Sequence, residues 1–160
     1  MLNKILLATF SLILMSCATT PVFDRSKVDF SLTPQRVITE PAQSLNKTAL
    51  WGGTILSINN LQSSTQIEML AYPLNSSYRP MLDDKPLGRF IILKNGFLEP
   101  SNFSQGRLLT VMGTVSHGQS GYIGQSSYNY PVINAQQLQL WSVQRDVPKS
   151  RFSFGLGIRL

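Results

Sequence analysis

From position 49 onward the chain is a succession of short apolar runs separated by polar turns, with the period-two pattern of β-strands. "ALWGGTILSI" is apolar and β-branched, and its Gly52-Gly53 pair predicts a bulge or a close backbone approach. After the turn "NNLQSS", the run "TQIEMLAYPL" alternates: Ile67, Met69 and Ala71 fall on one face, and Glu68, Leu70 and Tyr72 on the other. A polar loop, "NSSYRPMLDDKP", leads to "GRFIILKNGF", a strand ending in Asn95-Gly96, a pair that tolerates positive φ and signals a hairpin. "LEPSNFSQG" reads as a connection. "RLLTVMGTVSHG" is a long strand broken at Gly113, "QSGYIGQSSYNYPVI" follows, and "NAQQLQLWSV" closes the series with Leu138 and Leu140 pointing inward. No helical period is evident in this region.

Five or six strands with glycine kinks predict an all-β fold, a small closed OB-like β-barrel over 49–143, with a small β-sandwich as the alternative. The connection before "RLLTVMGTV" favours the OB-like order, and a glycine lets a long strand bend around such a barrel. Gly53 and Gly113 are the expected bends, and Trp51 and Trp141 are expected to be largely buried near its two ends.

The flanks differ. Residues 18 to 48 carry Pro21, Pro34 and Pro41 and keep no steady apolar period. This segment reads as a tether, which if flexible would span ~30 Å, although Val37 and Ile38 are able to pair as a strand or dock on the domain. At the other end, 144–160 is a tail. In "RFSFGLGIRL", Phe152, Phe154, Leu156, Ile158 and Leu160 alternate with Ser153, Gly155, Gly157 and Arg159. An edge strand, a membrane-facing ribbon and a partner's strand all fit. Glycines opposite the apolar face favour docking as an added strand, on its own barrel or through self-association or another envelope protein.

The first residues show where the protein resides. Lys4 precedes an apolar stretch from Ile5 to Met15 that is too short to span a bilayer, which needs ~20 residues. Residues 1–16 read as a secretory signal peptide, with Ser16 the small residue before the cut. Cys17 is the one cysteine of the chain, so an internal disulfide and a multi-cysteine zinc site are excluded. "LMSC", ending at Cys17, resembles the bacterial lipobox. That resemblance implies an S-diacylglycerol and an N-acyl chain on Cys17 as the mature N-terminus, and hence a membrane partner through two or three acyl chains. Ala18, where a retention signal would place aspartate, implies the outer membrane.

Composition narrows the chemistry. The formal charge is +6, and loss of Lys4 leaves +5. The basic residues are scattered, which suits a solvated surface, with attraction to anionic lipid or glycan phosphate as the sharper reading. Export makes nucleic acid an unsuitable partner. His117, the sole histidine, sits in the polar "SHGQSG" with no orienting acid beside it in sequence. No nucleophile elbow and no paired carboxylates occur, and Asp83-Asp84 lacks the remaining oxygen ligands of a Ca2+ site. Neither an enzyme nor a metal nor a cofactor is expected, apart from the covalent lipid. Gly118, Gly121 and Gly124 read as a mobile hairpin loop. Tyr122, Tyr128 and Tyr130, with Arg89, Arg107 and Lys94, are the ingredients of a ligand or partner surface, or of a barrel covered by tyrosines and snorkelling arginines. Arg89 and Arg107 each follow a glycine at a strand start and are expected to hold strand ends through carboxylate or carbonyl contacts, with glycan phosphate as the functional alternative.

The ordered blocks "LWGGTILSINN", "TQIEMLAYPLNSSYRP", "PLGRF", "GRLLTVMGTV" and "YPVINAQQLQLW" resemble the Slp family of outer-membrane lipoproteins. The resemblance implies a lipid-anchored, periplasm-facing β domain linked to starvation or stress, with no established catalysis. The expected role is structural or interactive in the envelope; the alternative is a carrier or sensor that binds a small ligand or glycan on the barrel face.

Overall fold

The computed structural model describes residues 23–142. Five strands, β1 (Thr48–Asn60), β2 (Ser64–Tyr72), β3 (Arg89–Asn95), β4 (Leu108–Ile123) and β5 (Ser126–Leu140), close into a barrel in the order β1-β2-β3-β5-β4. All neighbours are antiparallel except β3 and β5, which run parallel over Ile91–Leu93 and Val132–Asn134. This is the OB-like closed barrel expected from the strand pattern.

Alternation builds the core. Thr65, Ile67, Met69 and Ala71 of β2 are buried while the residues between them are not. They meet Trp51 and Ile55 of β1, Phe90 and Ile92 of β3, Leu109, Val111 and Val115 of β4, and Ile133 of β5. Leu32 and Val37 join this cluster from the N-terminal side, and Leu98 and Phe103 pack on it from the connection before β4.

The two glycines expected as bends have distinct duties. A Cβ at Gly53 would collide with the Leu70 carbonyl, and one at Gly113 with the Asn134 carbonyl. Both therefore mark close backbone approach. The bulge of β1 falls later, between Ile55 and Ser57, whereas the β4–β5 register does shift at Met112 and Gly113.

Three local readings change. Asn95-Gly96 does not close a hairpin: Gly96 has φ +84°, its N–H donates to the Ser63 carbonyl at 3.0 Å, and the chain continues into the connection. Barrel order puts β5, not β4, beside β3, so the following chain is needed elsewhere. The stretch holding Gly118 and Gly121 is strand rather than loop, because β4 pairs with β5 as far as Ile123↔Ser126. The turn is Gly124-Gln125, with Gly124 at φ +61°. Third, the part of the tether within the described residues is folded onto the barrel. A 3-10 turn at Arg25–Lys27 precedes helices α1 (Pro34–Thr39) and α2 (Pro41–Ser44). Thr33 caps α1 by accepting from the Arg36 N–H at 3.2 Å, Pro34 occupies its first turn, and Pro41 ends it. Phe23, Leu32, Val37 and Ser44 are buried. Apolar residues without a steady period still have barrel surface to cover, which local pattern does not reveal. Cys17 and the tail 144–160 lie outside the described residues.

Candidate functional site

β2 turns Glu68 outward, and β3 begins beside it at Arg89, paired with Leu70. Arg89 Nη1 donates to Glu68 Oε1 at 2.8 Å. The Tyr130 hydroxyl of β5 lies 3.1 Å from the same carboxylate oxygen and 3.2 Å from the Tyr122 carbonyl, and its single proton serves one or the other. Tyr128 accepts from the Arg89 N–H at 3.1 Å. The rings of Tyr128 and Tyr130 meet edge to face with centroids 4.8 Å apart. The Glu68 hydrogen bond holds the Arg89 pKa above its ordinary value, and burial, followed by the Glu68 charge, pushes Tyr130 up.

This cluster stands on a small buried apolar cluster on the outer side of the barrel, Ile91, Tyr130 and Val132, covered by partly buried Leu93, Ile123 and Tyr128. Glycines make room for it. A Cβ at Gly121 would sit 3.0 Å from the Tyr130 ring, and one at Gly88, where φ is +102°, 3.2 Å from the Tyr128 hydroxyl. At its edge Tyr122 is 74% exposed.

Four of the six surface residues singled out in the sequence thus converge, Arg89, Tyr122, Tyr128 and Tyr130. Glu68, which neutralises Arg89, was missed, although it is the one charged side chain on the outward face of its strand. Arg107 stands apart. Its Nη2 donates to the Trp141 carbonyl at 3.0 Å, and its buried Nε has no partner among the described residues. Arg89 therefore makes a carboxylate contact and Arg107 a carbonyl contact. Trp51 is buried, whereas Trp141 is only partly so. Trp141 lies on the outer wall of the barrel, its Nε1 donating to Thr110 Oγ1 at 2.9 Å and its ring beneath the Arg79 guanidinium at 5.5 Å. It follows the last strand residue, so it caps the wall and does not fill the core.

Two clefts flank the barrel. One, of about 420 Å3, separates Val37, Ile38, Pro41 and Leu45 from Ser116, His117, Ser120 and Asn129 of the β4–β5 hairpin. His117 thus belongs to an exposed strand segment bordering a cleft. The other, of about 450 Å3, lies between the segment around Phe30 and Tyr78 on the β2–β3 connection. Among the described residues no three His, Cys, Asp or Glu side chains assemble into a metal-binding group, and no helix is long and apolar enough to cross a membrane.

Strand order and outer face define an OB-like barrel that carries a tyrosine-rich, charge-neutral surface across β2, β3 and β5. The chain belongs to the outer membrane lipoprotein Slp family, whose model matches residues 14–155. It is 34% identical over 150 residues to the uncharacterized lipoprotein YeaY of Escherichia coli (strain K12), covering 91% of this chain and 76% of that one. It is 26% identical over 144 residues to outer membrane protein Slp of the same strain, covering 89% and 76% respectively. A small single-stranded DNA-binding protein from Streptomyces coelicolor, solved by crystallography, aligns with a TM-score of 0.40 and 12% identity over 59% of this chain and 94% of that one. Family membership makes the protein an outer-membrane lipoprotein of the bacterial envelope, and the two relatives are not named for any catalysis.

Proposed function

We propose that the protein is anchored to the outer membrane through acylated Cys17, faces the periplasm, and serves an interaction role there by presenting the tyrosine face to an envelope partner. The observation that carries this reading is the neutral, internally satisfied cluster of Glu68, Arg89 and Tyr130 beside exposed Tyr122. An arginine already paired to a carboxylate does not offer itself to phosphate, whereas an exposed tyrosine ring, Tyr122, suits a protein surface. The link to starvation or stress is carried by the family resemblance, and appearance of the protein when carbon is exhausted is its test.

Mass spectrometry of the native N-terminal peptide, with fractionation of Cys17→Ser, tests the anchor. An unmodified thiol on a protein that fractionates with the periplasm would sink it. For the face, a photo-crosslinking amino acid replacing Tyr122 is expected to capture a discrete envelope protein in cells, while the same replacement of exposed Leu82, outside this face, captures none. Equal or absent capture at both positions would count against the tyrosine face.

A second reading is favoured by the cleft between the helices and the β4–β5 hairpin, apolar on one wall and hydroxyl- and imidazole-bearing on the other. Such a cleft suits a small amphipathic ligand in a carrier or sensor. Native mass spectrometry of protein taken directly from envelopes discriminates: a retained small molecule, lost when Ala42, which also lines this cleft, is replaced in Ala42→Trp, supports it.

A further inference from the structure

Arg25 lies between two aromatic rings at the rim of the cleft beside the β2–β3 connection. Its guanidinium is 5.6 Å from the Phe30 ring centroid and 5.9 Å from that of Tyr78. The Tyr78 ring is firmly placed. It meets buried Phe23 edge to face at 5.9 Å. Its N–H donates to the Asn75 carbonyl at 2.9 Å, and its carbonyl accepts from Thr110 Oγ1 at 2.7 Å. These bonds hold Tyr78 at φ +64°, a left-handed conformation that so large a side chain rarely adopts. Such strain persists where the surroundings over-determine it, and here it delivers a ring to Arg25.

The acidic side chains nearest to Arg25 in sequence are engaged elsewhere. Asp24 accepts from Ser26 and pairs with Lys27 at 3.6 Å, and Asp29 accepts from Ser31 and pairs with Lys47 at 3.5 Å. Arg36 and Arg89 have carboxylate partners in Glu40 and Glu68, whereas among the described residues no carboxylate pairs with Arg25. Rings on its faces leave the edge of a guanidinium, which carries the N–H donors, open to a planar anion. The cleft itself has a volume of about 450 Å3, and Arg25 is the one charged side chain among the described residues lining it. Buried Leu32 and Trp51 form its floor, and exposed Phe30 and Arg25 stand at its mouth. Polarity therefore rises from floor to rim, in a volume that suits a small molecule.

We infer that this cleft binds a single-chain amphiphile with a carboxylate head, a fatty acid, with its chain along Leu50, Leu74 and Leu87 and its carboxylate on the edge of Arg25. Charge selects the head group. One guanidinium balances one carboxylate, whereas a phosphate monoester brings about −1.5 to −2 charges, and no second described lining residue offsets the excess. Space selects the single chain, because a two-chain lipid would leave one chain in water. The site shares no residue with the cluster of Glu68, Arg89 and Tyr130 or with the cleft beside the β4–β5 hairpin. It therefore stands or falls apart from both readings above.

The test uses the chain from residue 17 carrying Cys17→Ser, which bears no acyl chain and so needs no detergent, titrated calorimetrically with decanoate and with decanol. One equivalent of decanoate is expected to bind. Arg25→Gln is expected to weaken decanoate by about tenfold or more, through loss of a charge-assisted contact, and to leave decanol unchanged. Phe30→Ala, at an exposed position, is expected to weaken decanoate severalfold. Lys85→Gln removes the same charge from an exposed site outside the cleft and is expected to change nothing. Melting temperatures of these variants are expected to match the parent, which separates lost binding from lost fold. A chain that binds no decanoate overturns the inference. So does undiminished binding in Arg25→Gln, an equal loss in Lys85→Gln, or tighter binding of decyl phosphate than of decanoate. Decanoate binding that appears only after deletion of residues 143–160 would assign the cleft to the chain's own end and overturns it as well.

Discussion

The Trp51 indole N–H donates to the Leu32 carbonyl at 2.7 Å. Trp51 sits inside the barrel and Leu32 in the segment before β1, so one buried bond joins that segment to the domain. The same indole packs edge to face on Phe90 at 5.2 Å.

Replacing Trp51 by phenylalanine keeps most of the packing but leaves the Leu32 carbonyl without its donor. The expected loss is about 1–3 kcal/mol, with faster amide exchange in α1 than in wild type. Trp51→Ala adds a cavity and is expected to cost about 3–5 kcal/mol. Thermal melts and hydrogen exchange followed by mass spectrometry check both. An unchanged melting temperature in Trp51→Ala would contradict the packing described.

Gly113→Ala would drive a methyl group into the Asn134 carbonyl, and Gly53→Ala one into that of Leu70. Both strands are held on two sides by the closed barrel, so neither can yield freely. Each substitution is expected to destabilise by about 1–3 kcal/mol. Gly118→Ala meets only the Tyr130 carbonyl at 3.2 Å in the protruding hairpin and is expected to be milder. Denaturant melts of the three variants give the comparison.

Thr110→Val preserves shape while removing the hydroxyl that binds Tyr78 and Trp141. Thr110 is fully buried, so the carbonyl of Tyr78 and the indole N–H both lose a partner. Destabilisation of about 1–3 kcal/mol is expected, with amide exchange rising in the β2–β3 connection before it rises in β2 itself.

The folded protein holds the Tyr130 proton more tightly than the unfolded chain does, because burial and the Glu68 carboxylate disfavour the phenolate. The corresponding stability is fully present below the ordinary tyrosine pKa of 10.0 and is lost as pH rises through the higher folded value. Melting temperatures recorded from about pH 8 to about pH 11 are expected to fall more steeply for wild type than for Tyr130→Phe, which has no phenol to ionise there. Parallel curves would contradict the assignment.

Period-two alternation made β2 legible to the residue, since Ile67, Met69 and Ala71 face the core whatever lies beside them. The succession of strands and the connection before β4 were legible for the same reason, since a half-buried strand must repeat every second position, although the last two runs are parts of one strand, β5. Asn95-Gly96 misled because a turn pair reports what the backbone tolerates, while its partner strand is chosen by the barrel. Gly118 and Gly121 read as loop because the sequence does not show that the Tyr130 ring needs the space one of them leaves open.

Sequence by itself determined what depends on neighbours along the chain: the strands, the short apolar leader before Cys17 and the ordered blocks of the Slp family. Only tertiary structure decided what depends on residues far apart. It brought Glu68 to Arg89 and Tyr130, buried Phe23 and Leu32 against the barrel, kept Trp141 on its outer wall, and linked Phe23 directly and Trp141 through Thr110 to Tyr78. Closing a sheet into a barrel makes neighbours of strands by their order in space, and no local pattern contains that order.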